Sequence, residues 1–450
     1  VERLLEARAP QRRISLGLER IHDALAFYGR PDRRYPAVIV SGTKGKGSTA
    51  AFLAHSLRAL GLRIGLYTSP HLQCVGERVL MNHRMIPADR LRDLLRDILN
   101  AVDRGRIPEL SYFEILTVLA ARYFAEENAE FVVWEVGIGG RLDATNAFAR
   151  IGAVTTSISM DHRDILGPTL RGVAREKLAV HESAAFRVVG EQRPAVRYLL
   201  GDFLQPHSYW LFGRDFSATP TTESIDGSSF VYFGGGISAN AEIRQPGRFQ
   251  VHNAAAALAF IQQWHDSIPR TVLAALPDAF WPGRMETLSF GSSFILMDGA
   301  HNAYSAQVLV ANLRRQFPAT RWTVLFSSQS TKDYARMIRA LTPIAQEFIF
   351  TTAPGSPHPA EPSDLARFCR LPSRLLSPQD LCSTLQPGNL TTSVLVTGSL
   401  YLVGAVRTVL NLAPLARSGG SSWPGDLPAE NTSCEPFCPP LPKPYVKKAC

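Results

Sequence analysis

No apolar run in this 450-residue chain is long enough to cross a bilayer, which takes about 20 residues. Nothing near its start reads as a secretory signal. Cysteine is scarce, with 6 in all. Cys74, Cys369 and Cys382 are scattered, and Cys434, Cys438 and Cys450 sit near the end. That spacing is no disulfide framework and fits a reducing cytoplasm. Cys434 and Cys438 are spaced C-x3-C, but no second pair lies near them, and zinc needs about four ligands. No solenoid-type repeat is present. Charge of one sign is also modest: 48 Lys+Arg against 39 Asp+Glu leaves +9. The basic residues gather only as pairs such as Arg12-Arg13, Arg33-Arg34 and Arg314-Arg315. This disfavours nucleic acid and leaves mild attraction for polyanionic small molecules. The expectation is a monomer with small-molecule substrates, no nucleic acid and no membrane. What remains is ordinary globular composition, 45% hydrophobic and 19% charged, at a length that suggests two or three domains.

Extended apolar runs alternate with helical patterns. Ala37–Ser41 reads as a buried strand, Ser48–Leu60 as a helix ending at Gly61, and Arg63–Thr68 as a strand. Phe113–Ala125 is helix-like, whereas Glu130–Val136 and Ala153–Ser159 are strand-like. A second series follows Trp281-Pro282-Gly283-Arg284, with strands at Phe294–Met297, Trp322–Ser327, Glu347–Thr351 and Val394–Thr397, and a helix at Leu400–Leu410. Such alternation implies βαβ units on mostly parallel sheets. Two α/β domains meeting near Arg284 are expected, spanning 1–284 and 285–415. Ser208–Ile243, rich in Gly, Ser, Thr and aromatics, suggests a small β excursion at the end of the first. Residues 416–450 are Ser/Gly/Pro-rich without apolar periodicity and read as a disordered tail.

The strongest local signal is Gly42-Thr43-Lys44-Gly45-Lys46-Gly47-Ser48-Thr49, between a strand and a helix. Glycines let backbone N–H groups close around phosphate oxygens, and a helix N-terminus adds positive potential. Gly45 and Gly47 would shape that cradle, Lys46 would reach the β/γ-phosphates, and Ser48 would set a hydroxyl nearby. The spacing is shorter than the general G-x-x-x-x-G-K-[ST] pattern.

This loop resembles the phosphate loop of the Mur ligase superfamily. Thr68-Ser69-Pro70-His71-Leu72 with Glu77-Arg78 resembles its folylpolyglutamate synthase/dihydrofolate synthase branch, in bacterial form. Ser111-Tyr112-Phe113-Glu114, Glu135-Val136-Gly137-Ile138-Gly139-Gly140-Arg141-Leu142-Asp143-Ala144-Thr145-Asn146 and Asp161-His162 follow in order. Later come Ala174-Arg175-Glu176-Lys177, His252-Asn253-Ala254-Ala255, Asp298-Gly299-Ala300-His301-Asn302 and Val396-Thr397-Gly398-Ser399-Leu400. The match runs from about Ile14 to Leu410.

The resemblance implies a two-domain Mur-ligase-like α/β fold: a P-loop ATPase domain on a parallel sheet, then a smaller Rossmann-like domain. It implies Mg²⁺ held by Ser69, Glu135 and His162, with ATP as substrate and K⁺ as a further candidate ion. A mixed O/N set is unusual for Mg²⁺, so Mn²⁺ is a candidate substitute. Lys177, which read alone is a solvated helix lysine, matches a lysine that is carbamylated by CO₂ and helps hold a second metal. The family usually continues Gly-Gly-Ile or Ala-Gly-Ile; here it is Leu178-Ala179-Val180. Asn253, Arg284 and Asp298 would clamp ATP, and His301 would lie near the incoming glutamate. Lys332-Asp333 resembles another second-domain element, with Ser327-Ser328-Gln329 in place of the usual preceding glycine. The pterin side would be Ile14, Ser15, Leu16, Ser111, Tyr112, Phe113, Glu114, Leu142, Asp143 and Ala144, although Phe113 alone would read as core.

The implied activity is ATP-dependent addition of L-glutamate to a folate carboxylate through an acyl phosphate, with Lys46, Lys177 and His301 as catalytic residues. Dihydrofolate synthase activity on dihydropteroate is the alternative. Lys44, where many bifunctional members have Asn, points away from it. A nucleotide-binding homologue without catalysis is the rival of another class.

Overall fold

The computed structural model describes residues 2–9, 16–290, 293–386 and 392–414. The predicted tail at 416–450 and the pterin candidates Ile14 and Ser15 lie outside the described residues. No helix among the described residues is long and apolar enough to cross a membrane.

Two sheets organise the chain. The first contains β1 (Ala37–Ser41), β2 (Ile64–Tyr67), β3 (Val79–Met81), β4 (Arg84–Met85), β5 (Phe131–Glu135), β6 (Gly152–Thr155), β7 (Phe186–Val189) and β8 (Trp210–Leu211). Their order is β4-β3-β2-β5-β1-β6-β7-β8. The pairs from β2 to β8 are parallel, and β3 and β4 form an antiparallel edge. β1 and β5 are buried at every position, as a central parallel strand covered on both faces must be, and their Val, Ile, Phe and Trp side chains suit that burial. β9 (Phe216–Ser224), β10 (Gly227–Gly234) and β11 (Ile237–Ile243) form a separate antiparallel sheet. The expected excursion therefore divides: Trp210–Leu211 belongs to the main sheet, and the three-stranded sheet is followed by a long helix rather than ending the lobe.

The second large sheet contains β12 (Glu286–Phe290), β13 (Ser293–Met297), β14 (Trp322–Phe326), β15 (Ala345–Thr351), β16 (Ser373–Leu376) and β17 (Val394–Thr397), ordered β12-β13-β17-β14-β15-β16. Only the β12–β13 pair is antiparallel.

Six helices bear on the site: α1 (Lys46–Ala59), α2 (Tyr112–Glu126), α3 (Leu170–Leu178), α4 (Arg248–His265), α5 (Ala303–Gln316) and α6 (Leu400–Val409). α1 and α4 pack on each other inside one apolar cluster that includes Ala50, Ala51, Ala54 and Ala254 to Ala257. Small side chains let the two helix axes approach closely, and alanine also favours the helical backbone. α2 opens with a capping box between Ser111 and Glu114, and α5 with one between Asn302 and Ser305, each satisfying orphan N–H groups.

A buried ion pair inside the second lobe also reaches the first. Arg407 on α6 pairs with Glu286 on β12, and their side chains are 3% and 0% exposed. Arg407 Nε also donates to Gln73 Oε1 at 3.2 Å, and Nη2 to the Ala413 carbonyl at 2.7 Å. Glu286 Oε2 accepts the Gly283 N–H at 2.8 Å. The loop that presents Gln73 is itself knotted by Glu77, whose carboxylate accepts the N–H groups of Leu72, Gln73 and Cys74.

Candidate active site

A cavity of about 1000 Å³ lies at the C-terminal ends of β1 and β5 and is lined by residues of both lobes. In an open parallel sheet this is where ligands bind.

The glycine loop forms its floor. Gly45 caps α1 with φ of +88°, a left-handed conformation open to glycine at little cost. A Cβ there would run into Asn253 of α4, one at Gly42 would run into Thr156 after β6, and one at Gly47 would lie 2.7 Å from Trp281 Nε1. Thr43 pins the loop from the other side: its N–H donates to the Ser157 carbonyl at 2.8 Å, and its hydroxyl donates to the Ser159 carbonyl at 3.0 Å. Lys46 and Ser48 line the cavity at the start of α1.

Lys44 leaves the loop for the second lobe. Its Nζ lies 3.3 Å from Asp161 Oδ2 and 3.2 Å from His301 Nε2. His301 Nδ1 donates to the Gly299 carbonyl at 2.8 Å, which leaves Nε2 as the acceptor. The Lys44 charge and then burial hold the imidazole well below its ordinary pKa, so it is neutral. Burial pulls the Lys44 ammonium down to about 8, with Asp161 opposing. Burial pushes Asp161 up, but Lys44, His162, His301 and Lys332 outweigh it and hold its carboxyl below the usual range. Asn302 Nδ2 adds a second tie to Asp161 Oδ2 at 3.4 Å.

Lys177 is 3% exposed and lies behind the loop, apart from the residues that line the cavity, with Nζ donating to the Gly42 carbonyl at 3.0 Å. Burial, with Lys46 adding, brings its ammonium to about 7. Read alone it was a solvated lysine; the fold buries it instead. Ala179 has φ of −59°, so the missing glycine removes no conformation that only glycine could take. Ser327, Ser328 and Gln329 likewise have no positive φ.

Glu135 ends β5, is 5% exposed, and accepts the Ser69 N–H at 3.0 Å. Burial raises its pKa, with Lys46 opposing. His162 lines the same cavity at φ of +48°, and burial brings its imidazole to about 4. Among the described residues no three of His, Cys, Asp and Glu gather as a metal cluster. A single buried carboxylate, in a cavity that Ser69 and His162 also line, still fits Mg²⁺, which binds through one or two carboxylates, retained waters and substrate phosphates.

Of the residues expected on the pterin side, Leu16, Ser111 to Glu114 and Leu142 to Ala144 all line the cavity. Two of them carry structural duties that spacing did not reveal. Asp143 accepts from Gly137 N, Ile138 N, Thr145 N and the Thr145 hydroxyl at 2.6–3.1 Å. Glu114 closes its capping box and pairs with Arg20 at 3.0 Å. Arg78, given no role from sequence, lines the cavity with its guanidinium over the Tyr112 ring at 5.2 Å. Its place beside Glu77 in the quoted motif was the available signal.

Asn253, Arg284 and Asp298, expected to clamp the nucleotide, also line the cavity. Asp298 accepts Met285 N at 3.0 Å and Ala300 N at 2.9 Å. It thus fixes Met285, which has φ of +48°, at the junction of the lobes. Burial raises the Asp298 pKa while Arg284 opposes. Sequence reading also missed two contacts between lobes: Arg193 over Tyr304 at 4.2 Å, and the ion pair of Arg315 with Glu223.

The Mur ligase middle domain family matches residues 40–261, and the dihydrofolate synthetase C-terminal domain family matches residues 284–412. The folylpolyglutamate synthase of Lacticaseibacillus casei is 30% identical over 408 residues, covering 87% of this chain and 94% of that protein. This chain belongs to the folylpolyglutamate synthase/dihydrofolate synthase family. The dihydrofolate synthase/folylpolyglutamate synthase of Mycobacterium tuberculosis is 30% identical over 459 residues, covering 92% of this chain and 94% of that one. The fold agrees: a solved structure of Mycobacterium tuberculosis folylpolyglutamate synthase complexed with ADP superposes with a TM-score of 0.81 at 29% identity, covering 92% of this chain and 98% of that one. The expected two-domain Mur-ligase-like α/β architecture is thus that of the family.

Proposed function

We propose that this chain joins L-glutamate to the terminal carboxylate of tetrahydrofolate at the expense of ATP. One observation carries the reading: the glycine loop with Lys46, the aromatic wall of Tyr112 and Phe113, and His301 of the second lobe all face a single cavity. Nucleotide, acceptor and amino acid can therefore meet. The folate carboxylate oxygen attacks the γ-phosphorus and ADP leaves. The glutamate amine then attacks the acyl-phosphate carbonyl carbon, phosphate leaves, and the amine loses its proton. Positioning and charge stabilisation supply most of the catalysis.

In this reading Lys46, Gly45, Gly47 and Ser48 hold the phosphates, while Asn253, Arg284 and Asp298 clamp the nucleotide between domains 1–284 and 285–415. Ser69, Glu135 and His162 hold Mg²⁺, which offsets the charge on phosphates and carboxylate when bound; K⁺ is a further candidate ion. Leu16, Ser111 to Glu114 and Leu142 to Ala144 receive the pterin. Lys177 supports carbamylation because an amine with a pKa near 7 is substantially neutral at physiological pH, and the neutral amine adds CO₂ with loss of a proton. The protein acts as a cytoplasmic monomer.

Incorporation of radiolabelled glutamate onto two acceptors tests this. ATP-dependent labelling of tetrahydrofolate is expected. No labelling of either acceptor by protein that binds ATP would overturn the ligase reading in favour of a nucleotide-binding homologue. Dihydropteroate is the second acceptor, favoured by the double name of the Mycobacterium tuberculosis relative.

A further inference from the structure

Lys44 and Lys46 are two residues apart on one loop, yet they face different partners. Lys46 has no ion-pair partner among the described residues and stays at the start of α1 beside the cavity. Lys44 is drawn away by Asp161 and His301. An ammonium has three N–H donors. Asp161 Oδ2 takes one, and His301 Nε2, its lone pair exposed by the Nδ1–Gly299 bond, takes another. One donor remains.

The charges at this corner are unbalanced. Lys44, Lys332 and Arg284 line the cavity, and among the described residues the one ion pair they form is that of Lys44 with Asp161. Of the other carboxylates near Arg284, Asp298 is engaged by two backbone N–H groups and Glu135 by the Ser69 N–H. A half-buried ammonium with a donor to spare is stabilised by a further carboxylate.

We propose that Lys44 is a specificity-determining residue for the incoming amino acid, its remaining N–H gripping a carboxylate of the attacking glutamate. The inference rests on the ligase reading and names the group that selects the amino acid at that site. Because Lys44 belongs to the first lobe and His301 to the second, the grip exists only while the lobes are together. Glutamate binding is thereby tied to closure over the nucleotide. Lys44 is thus set apart from the phosphate-binding duty of its loop and from the pterin wall, since its contacts go to neither.

The test is Lys44→Met, close to isosteric and uncharged. A charge-assisted hydrogen bond contributes about 1.5–3 kcal/mol, so the KM for glutamate should rise roughly 10- to 100-fold. Affinity for a non-hydrolysable ATP analogue should stay within about twofold. Two further amino acids show which carboxylate is held: glutamine lacks the side-chain carboxylate and isoglutamine the α-carboxylate. Wild type should discriminate against both, and Lys44→Met should lose discrimination against one. Lys44→Arg keeps the charge with another donor geometry; an intermediate KM supports the proposal, and it serves alone if the Met variant does not fold. An unchanged glutamate KM in the folded variants overturns the proposal, as does an analogue affinity that falls in step with it. Wild-type protein that labels neither acceptor overturns the ligase reading as well, whereas a ligating wild type with an indifferent Lys44→Met defeats this inference alone.

Discussion

Arg407→Met should be among the more damaging single changes far from the chemistry. The variant keeps the apolar stem and removes the guanidinium from a pair whose partner, Glu286, is fully buried. Stranding one member of such a pair costs about 3–5 kcal/mol, because the carboxylate must stay charged without a partner or take up a proton. The lost bonds to Gln73 Oε1 and the Ala413 carbonyl fall within that range, since the hydrophobic stem still packs. The double variant Arg407→Met/Glu286→Gln removes the stranded charge yet leaves an amide oxygen for the Gly283 N–H. It should recover about 2 kcal/mol or more of the loss. Denaturant unfolding of wild type, both singles and the double, with the second-lobe Trp322 as one fluorescence probe, closes the cycle. A loss below about 1 kcal/mol for Arg407→Met, or a double variant no more stable than that single, would refute the argument that charge burial dominates here.

Three more expectations follow from other parts of the molecule. Lys46→Ala should abolish ligation while leaving circular dichroism unchanged; ordinary turnover at saturating ATP would defeat the phosphate assignment. Lys177→Ala activity should be partly restored by short carboxylic acids that replace a carbamate anion, and intact mass of active wild-type enzyme showing an unmodified lysine would remove the basis for that rescue. Stability should fall on acidification below about pH 7.5: burial lowers His55 to about 4 and His181 to about 3, so both are neutral when folded but bind protons when unfolded. Each contribution is complete above about pH 7.5 and has shrunk by roughly 1.4 kcal/mol at pH 5.5. His181→Asn should flatten the unfolding free energy over that interval by about this amount, and an unaltered slope would contradict the burial argument.

Much of the fold is legible because its central strands are short, apolar and bounded by turn residues. Val394–Thr397 and Ala37–Ser41 are strands over the residues read from sequence. The β3–β4 edge escaped notice because three- and two-residue strands carry no measurable periodicity. The limits at the site are of another kind. Spacing along the chain says that Lys44 and Lys46 share a loop, but not that Lys44 meets His301, 257 positions later. Nor can it show that the Asp143 carboxylate is engaged by four donors, because those arise from the path of the turn. Lys177, read alone, looks solvated for a related reason. A lysine in a polar helical stretch looks external until the loop that covers it is in place.

The three glycines of the loop have a bearing on engineering. Each is required by a different neighbour: Thr156 at Gly42, Asn253 at Gly45 and Trp281 at Gly47. Those neighbours come from the end of β6, from α4 and from the junction between lobes. The loop is therefore no portable cassette. Grafting its eight residues onto another strand and helix would carry over the glycines without the surfaces that demand them. The recipient would gain backbone freedom and a poorly held anion cradle, and a successful transplant would have to bring the threonine, the asparagine and the indole along with it.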